Sequence, residues 1–294
     1  MHASVQSFFN YIEFERRYSK HTHEAYRNDL AQFGAFLEPY EKQLKDATHT
    51  DIRNWIVSMM EQKTSARSVN RKISALKSFY KFLLRRGEIK NTPLSKVQTP
   101  KTSKRLPVFV DLPSIEKLLK EVVFPEGYEG LRDKMIIELF YGTGMRRSEL
   151  INLKETDVDS YSSQIKVLGK GNKERIIPIH NELRNSIRGF IEEKRRLVES
   201  QKGDFLIVTE KGKKMEPGFV YEIVKKYLNM VTTVDKKSPH TLRHTFATHL
   251  MNGGADINAV KELLGHSSLA ATQVYTHNTI DKLKEIYNRA HPKA

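Results

Sequence analysis

The strongest constraint on the fold is a helical repeat of apolar residues between Ser68 and Gly87. The apolar residues of this repeat are Val69, Ile73, Leu76, Tyr80 and Leu83. Their three- and four-residue spacing is typical of one face of an α-helix, and Gly87 is a natural end for that helix. The basic residues beside and between them are Arg67, Arg71, Lys72, Lys77, Lys81 and Arg85. The pattern predicts a helix that packs inward on one face and presents positive charge on the others.

Further apolar repeats before this helix predict that residues 1–98 form a helical domain. The first two repeats are Phe8, Phe9, Ile12 and Phe14, and then Tyr26, Leu30, Phe33, Phe36 and Leu37. Thr48 and Asp51 have the spacing of a capping box in front of a third repeat that starts at Ile52. Residues 99–107 are rich in Pro, Thr, Ser and Lys and lack periodicity, which predicts a linker.

The second domain is predicted to span residues 108–294 and to combine helices with a few short strands. Arg132–Tyr141 is apolar enough for a buried helix, and Gly142-Thr143-Gly144 ends it. The predicted strands are Gln164–Leu168, Glu174–Ile179 and Phe205–Thr209, with Gly169-Lys170-Gly171-Asn172 as the turn between the first two. The fold class is therefore mainly α with a small antiparallel β-sheet.

Positive charge is concentrated in one part of the chain. The net charge is +15, and the 53 residues from Arg53 to Arg105 hold fourteen Lys and Arg against two acids, a net +12. A concentrated block of positive charge favours a polyanion as the partner, with DNA phosphates as the leading candidate. A solvated basic face without a ligand is the alternative interpretation.

Several classes of protein are excluded by composition. The 294 residues include no cysteine, which rules out disulfides, thiolate metal sites and cysteine nucleophiles. No apolar run reaches the roughly 18 residues of a transmembrane helix, and the N-terminus lacks the pattern of a signal peptide. We therefore predict a cytoplasmic protein with no membrane partner.

Four short segments carry residues that are suited to phosphate chemistry. They are Gly142–Leu150 with Arg146, Gly169–Arg175 with Lys170, His240–His244 with Arg243, and Leu264–Ser268 with His266, followed by Tyr275. Each has an ordinary structural explanation when it is taken alone. The Gly-Lys-Gly hairpin lacks the pattern of a nucleotide-binding P-loop. His240 and His244 have the spacing of a metal-ligand pair, but Arg243 between them would repel a cation, so no metal and no other cofactor is predicted.

Gly253–Tyr275 also has the pattern of a helix-turn-helix, with a helix at Ile257–Leu264 and a turn at Gly265-His266. A non-catalytic DNA-binding regulator is therefore an alternative of another class. Such a protein would have no use for Lys170 and Tyr275.

Taken together, two arginines, a lysine, two histidines and a tyrosine are the parts for phosphodiester transfer without a metal. Their order resembles that of the tyrosine recombinase (phage integrase) family and, within it, the bacterial Xer group. The resemblance covers nearly the whole chain, including the segment from Tyr18 to Leu30, the basic helix from Ser68, the hairpin with Lys170 and the final residues His291–Ala294.

The resemblance implies a role for each residue of the series. Arg146 and Arg243 match the arginines that hold the scissile phosphate. Lys170 matches the general acid for the leaving 5′ oxygen. His240 matches the residue that accepts or orients the proton of the nucleophile, and His266 matches a hydrogen-bond donor to the phosphate. Tyr275 matches the nucleophile, which forms a 3′-phosphotyrosine without ATP or metal. Tyr161 and Tyr287 are the tyrosines that chemistry alone leaves as alternatives.

The resemblance also implies an architecture and partners. The helical domain would bind core DNA sequence and form a clamp with an α/β catalytic domain. Double-stranded DNA would be bound by a homo- or heterotetramer on two sites. A second Xer recombinase and an FtsK-like DNA translocase are implied partners for chromosome dimer resolution at a dif-like site. The alternatives with the same chemistry are an integrase of a phage or conjugative element and a relaxing type IB topoisomerase.

Three further features are noted beside the resemblance. Arg147 stands where the family commonly has an apolar residue, and we expect an extra contact with the DNA backbone from it. The tail Thr279–Arg289 is expected to dock into a neighbouring protomer, with packing on its own domain as the alternative. Val123–Gly130 has the pattern of a separate loop without an assigned function.

Overall fold

The chain separates into two compact units, Met1–Arg105 and Leu106–Ala294, in a computed structural model. The structure describes residues 3–102, 108–169, 174–198, 203–265 and 277–293, without the side chains of 277–280. Each unit has its own apolar core. The linker at 99–107 stays a prediction, because most of it lies outside the described residues.

The N-terminal unit is helical from Ala3 to Arg85 apart from short connections, and its residues 86–102 contain no helix or strand. Its α-helices are α1 (Ala3–Asn10), α2 (Lys20–Leu37), α3 (His49–Glu61) and α4 (Ala66–Arg85). The predicted capping box is confirmed, since the Asp51 carboxylate accepts a hydrogen bond from the Thr48 backbone N–H at 2.8 Å and Thr48 Oγ1 accepts one from the Asp51 N–H. Ser65 caps α4 by accepting from the Ser68 N–H.

The predicted inward face of α4 is confirmed, because all five apolar residues of its repeat are at most 1% exposed. The prediction for the first apolar repeat is wrong at one position. Phe14 is 70% exposed, whereas Phe8, Phe9 and Ile12 are buried. Phe14 lies in a π-helical turn at Tyr11–Glu15. A π-turn is wider than an α-turn, so residues within it leave the 3.6-residue phase on which the prediction depends.

The second unit joins eight α-helices to one small sheet within its described residues. The helices before the sheet are α5 (Leu112–Lys120), α6 (Tyr128–Thr143) and α7 (Arg147–Asn152). The strands are β1 (Val158–Asp159), β2 (Gln164–Leu168) and β3 (Glu174–Pro178). The helices after the sheet are α8 (Asn181–Leu197), α9 (Pro217–Val231), α10 (Pro239–Asn252), α11 (Ile257–Leu264) and α12 (His277–Ala290).

The sheet is antiparallel in the order β1-β2-β3. Ile165 pairs with Ile177 and Val167 with Arg175. All four of these side chains lie on the buried face of the sheet. The predicted third strand at Phe205–Thr209 is wrong, because this segment makes only isolated bridges, Lys154 to Phe205 and Val208 to Lys214. Its apolar run reflects burial in the core rather than pairing in a ladder, which sequence pattern alone cannot distinguish.

Helix α6 is the centre of the second unit, and its buried position is confirmed. It packs against α8 and α10, and most of its residues are buried on every side. None of the described helices combines the length and the apolar character needed to cross a lipid bilayer.

Candidate active site

The end of α6 sets the position of Arg146. Gly144 has a left-handed φ of +58°, which ends the helix and turns the chain. A Cβ atom at Gly144 would lie 2.4 Å from the Phe246 ring and 2.9 Å from Leu264, so glycine is required there. Arg146 follows this turn directly and precedes the first residue of α7.

Arg146 is held by two different partners. Its Nη1 donates to Glu149 Oε1 at 2.8 Å, and its Nη2 donates to the Gly265 carbonyl at 3.0 Å. The Glu149 carboxylate also accepts from the Arg146 backbone N–H at 2.7 Å. The Arg146 side chain remains 30% exposed, which leaves part of the guanidinium available to a ligand.

Glu149 joins Arg146 to a second arginine, Arg175 on β3. The Arg175 guanidinium binds the Glu149 carboxylate with both Nη atoms, at 2.7 and 2.9 Å, and its Nε donates to the Leu263 carbonyl at 2.8 Å. Burial alone would raise the pKa of Glu149, but hydrogen bonds and charge from Arg175 and Arg146 bring that pKa below its ordinary value. Glu149 is therefore a buried carboxylate that orients two arginines.

Sequence reasoning assigned no role to Glu149 or Arg175. One signal was available, because Arg175 is a charged residue at a position of β3 that alternates with the inward-facing Ile177. A charge on the buried face of a strand requires a partner of opposite charge. The partner is Glu149, which lies 26 residues away in sequence.

Arg243, on α10, reaches the region of Arg146 and Arg175 from another helix. Its Nη1 donates to the Gly144 carbonyl at 2.6 Å and its Nη2 to the Leu264 carbonyl at 2.5 Å. Burial and the nearby positive charges of Arg146 and Arg175 lower the pKa of Arg243 to about 9, so it is still a cation at neutral pH.

The C-terminal end of α11 thus gathers three arginines. The carbonyls of Leu263, Leu264 and Gly265 accept from Arg175, Arg243 and Arg146, respectively. The last carbonyls of a helix lack partners within it and carry partial negative charge, so guanidinium groups bind there favourably. The result is a group of three cations with one carboxylate, which is suited to binding an anion such as a phosphodiester.

His240 stands one turn before Arg243 on α10 and is exposed. Burial of part of the ring and the positive charge of neighbours, Arg243 first, lower the pKa of His240 below its ordinary value. A neutral imidazole at pH 7 is able to accept a proton. Among the predicted site residues, the structure therefore brings Arg146, His240 and Arg243 into one region.

The other three predicted catalytic residues, Lys170, His266 and Tyr275, lie outside the described residues. Lys170 belongs to the connection between β2 and β3, and His266 follows Gly265 directly in sequence. Their roles stay predictions. The helix predicted at Ile257–Leu264 is confirmed as α11, whereas the turn proposed after it lies mostly in the part that is not described.

The two alternative tyrosines have different surroundings. Tyr287 is fully buried, its hydroxyl donates to the Gly142 carbonyl at 2.8 Å, and burial raises the pKa of its phenol. This makes Tyr287 unsuited to attack a phosphate in the observed conformation. Tyr161 is 99% exposed in the turn after β1.

The predicted DNA-contact residues of α4 fall into two groups. Arg67, Lys77 and Lys81 are exposed. The others have partners within the unit: Arg71 and Lys72 bind the buried Asp29, and Arg85 donates to the Tyr11 hydroxyl at 2.8 Å. Contact with DNA stays a prediction for all six.

Helix α12 packs on its own unit in this single chain. Leu283, Tyr287 and Ala290 share a core with Phe246 on α10 and with α11. Docking of the tail into a neighbouring protomer stays a prediction.

The arginine cluster is suited to a phosphodiester, and comparison with known proteins identifies the family and with it the class of enzyme. Residues 109–282 match the phage integrase family, and residues 5–87 match the N-terminal SAM-like domain of phage integrases. The chain belongs to the phage integrase family, the tyrosine recombinases, whose members are site-specific enzymes that bind, break and rejoin DNA.

Full-length relatives narrow the comparison. The chain is 40% identical to a tyrosine recombinase XerC of Staphylococcus carnosus, over 100% of this chain and 99% of the relative. It is 37% identical to a tyrosine recombinase XerC of Chlorobaculum parvum, over 99% of this chain and 94% of the relative. The fold is similar to the XerH site-specific recombinase in a post-cleavage complex with palindromic difH substrate, with a TM-score of 0.73, 23% identity, and coverage of 96% of this chain and 83% of that one.

Proposed function

We propose that this enzyme resolves chromosome dimers by recombination at a dif-like site, through a covalent 3′-phosphotyrosine link to Tyr275. The observation that carries the chemistry is the convergence of Arg146 and Arg243 on neighbouring carbonyls at Gly144, Leu264 and Gly265. The full-length similarity to proteins named XerC supports the cellular role.

In the proposed reaction, the two arginines bind the non-bridging oxygens of the scissile phosphate. Negative charge on these oxygens grows in the pentacoordinate transition state, and charge-assisted guanidinium hydrogen bonds strengthen with it. Arg146 is already fixed by Glu149 and the Gly265 carbonyl, and Arg243 by the carbonyls of Gly144 and Leu264. Little reorganisation is therefore needed when that charge develops.

Proton transfer is assigned to His240 and Lys170. A phenol has an ordinary pKa of about 10, so Tyr275 needs a base and nearby cations to attack at neutral pH. His240, whose pKa is lowered, accepts or orients that proton. Lys170 protonates the departing 5′ oxygen, and His266 donates a hydrogen bond to the phosphate. The ester retains the bond energy, and the 5′ hydroxyl of the partner strand then attacks it and releases Tyr275.

The proposed assembly is a tetramer on two DNA sites, with a second Xer recombinase and an FtsK-like translocase as candidate partners. The exposed Arg67, Lys77 and Lys81 on α4 are the first candidates for contact with core DNA. The proposed role requires the protein to act in the cytoplasm, where the chromosome lies.

Covalent trapping tests the proposal. Wild-type protein, Tyr275→Phe and the matched control Tyr161→Phe are incubated with nicked duplexes that carry candidate dif-like sites, and a denaturing gel detects protein–DNA adducts. We expect adducts from wild type and Tyr161→Phe and none from Tyr275→Phe. An adduct that persists in Tyr275→Phe refutes the assigned nucleophile. Adducts at the ends of a mobile element but at no chromosomal site would point to an integrase instead.

A further inference from the structure

A basic cavity extends from the candidate active site along the second unit. Its volume is about 530 Å³, within the range of about 300 to 1,000 Å³ for pockets that hold small ligands. It lies between α9 and the segment that leads into α10, with Arg147 at the start of α7 on its wall. His240 belongs to both the cavity and the candidate active site.

The cavity has an excess of positive charge. Arg147, Lys225, Lys236 and Lys237 line it, with Asp235 as the carboxylate in the lining. Within the described ranges, Lys225 alone of these four cations forms an ion pair, a 3.8 Å contact with the exposed Glu222. Exposed pairs of this kind are weak, so the charge of the cavity is largely uncompensated. Concave surfaces of one sign focus the field and favour a ligand of opposite charge.

Parts of the cavity wall are held in place before any ligand binds. Arg147 Nη1 donates to the Pro217 carbonyl at the start of α9, at 3.1 Å. The Thr241 hydroxyl donates to the Lys236 carbonyl at 2.8 Å, which ties the connecting segment to α10. Ser238 caps α10 by accepting from the Thr241 N–H. The Arg147 guanidinium, which is already held, loses less entropy when it binds an anion than a free surface side chain does.

The path of the cleaved DNA strand indicates which ligand the cavity binds. A strand with its scissile phosphate at Arg146 and Arg243 must continue on both sides, and the cavity begins at His240, beside these arginines. Successive phosphates of one strand are only a few ångströms apart along the duplex axis, about 3.4 Å. The next charged group of the strand is therefore within reach of the cavity.

We propose that this cavity is a second anion site, which binds a phosphodiester adjacent to the scissile one on the cleaved DNA strand. Arg147, Lys225 and Lys236 are its donors, so the adjacent residues Arg146 and Arg147 serve two different phosphates. The assignment rests on the proposed function, since it takes the strand cleaved at Arg146 and Arg243 as the ligand. The site fixes the direction in which that strand leaves the reacting phosphate.

The first test measures how binding of a generic 30-base-pair duplex depends on salt. The variants are Arg147→Gln, Lys225→Gln, Lys236→Gln and their combination. The matched control is Lys226→Gln, which removes the neighbouring lysine on α9 that lies over the Tyr227 ring and not in the cavity. The slope of log K against log salt changes by about 0.9 for each phosphate contact that is lost. Because the site holds one phosphate, we expect the combined variant to reduce the magnitude of the slope by about 0.9 and the control to leave it unchanged.

The second test locates the phosphate. A nicked substrate carries a single neutral methylphosphonate at one of the positions flanking the scissile phosphate, and the initial rate of adduct formation is measured. We expect one flanking position to slow wild type at least 10-fold and to slow the combined variant less than 3-fold, because the partner charge is already absent. Thermal unfolding of each variant shows that it is folded.

Different outcomes refute the cavity assignment and the proposed function. Wild type that forms adducts, with equal salt slopes in all variants, overturns the cavity assignment and leaves the recombinase chemistry in place. If the methylphosphonate slows wild type and the combined variant equally, the cavity assignment is also overturned and the recombinase chemistry stays in place. A wild-type protein that neither binds duplex DNA nor forms adducts with dif-like substrates contradicts both.

Discussion

Removing the Glu149 carboxylate should destabilise the second unit far more than an ordinary surface substitution does. Its side chain is 2% exposed and that of Arg175 is 4% exposed, and the pair is bonded at two points. Breaking such a buried pair leaves an uncompensated guanidinium and typically costs about 3–5 kcal/mol. We expect Glu149→Leu to lower the free energy of unfolding of the second unit by that amount.

Two spectroscopic signals distinguish the units in this experiment. The single tryptophan, Trp55, is buried in the N-terminal unit, so its fluorescence follows that unit in urea. Far-UV circular dichroism follows the helices of both units. The part of the dichroism transition that differs from the fluorescence transition reports the second unit. It should move to lower urea concentration in Glu149→Leu, while the fluorescence transition stays unchanged.

A double variant tests whether charge is the cause. Glu149→Leu with Arg175→Met removes both members of the pair and leaves no buried unpaired charge between them. Apolar replacement of a buried pair is often close to neutral, so the double variant should be less destabilised than Glu149→Leu alone. Additive effects, or a single variant within 1 kcal/mol of wild type, would refute this account of the site. Glu149 also holds Arg146, so trapping of the covalent adduct should fall in both variants under conditions where they are folded.

Three further predictions concern stability. Burial lowers the pKa of His180 to about 4 and that of His291 to about 3, whereas both are near 6.5 when unfolded. Below pH 6.5 the unfolded chain binds protons that the folded chain does not, so stability is complete above that pH and falls as pH drops towards 4. At 1.36 kcal/mol for each unit of pKa, His180 alone accounts for about 3 kcal/mol, and urea unfolding at pH 7.5, 5.5 and 4.5 should show a decline that His180→Gln reduces. Tyr287→Phe removes the buried hydroxyl that donates to Gly142 and should cost about 1–2 kcal/mol in the dichroism transition, and an unchanged midpoint would contradict the importance of this bond. Asp29→Leu leaves the cations of α4 without their buried partner and should move the Trp55 fluorescence transition to lower urea by about 2 kcal/mol, with no effect on the second unit.

Features that depend on neighbouring residues in sequence could be predicted well. The repeat in α4, the capping box at Thr48 and Asp51 and the hairpin of β2 and β3 all follow from local spacing and turn chemistry. The errors arose where tertiary context replaced the local pattern. Phe14 left the helical phase in a π-turn, and Phe205–Thr209 is apolar because the core covers it rather than because it pairs in a sheet.

The sequence by itself determined the helical class of the N-terminal unit and the family, and it predicted a short set of residues for phosphate chemistry. These depend on residue type, order and spacing, all of which can be read directly from the linear sequence. Only the tertiary structure showed that Glu149 joins Arg146 to Arg175, and that three helix-end carbonyls hold the arginines together. Arg175 and Arg243 contact residues 88 and 99 positions away along the chain. Contacts over such separations have no periodicity, because they are set by how the helices and the sheet pack, and so they become visible only once the chain is folded.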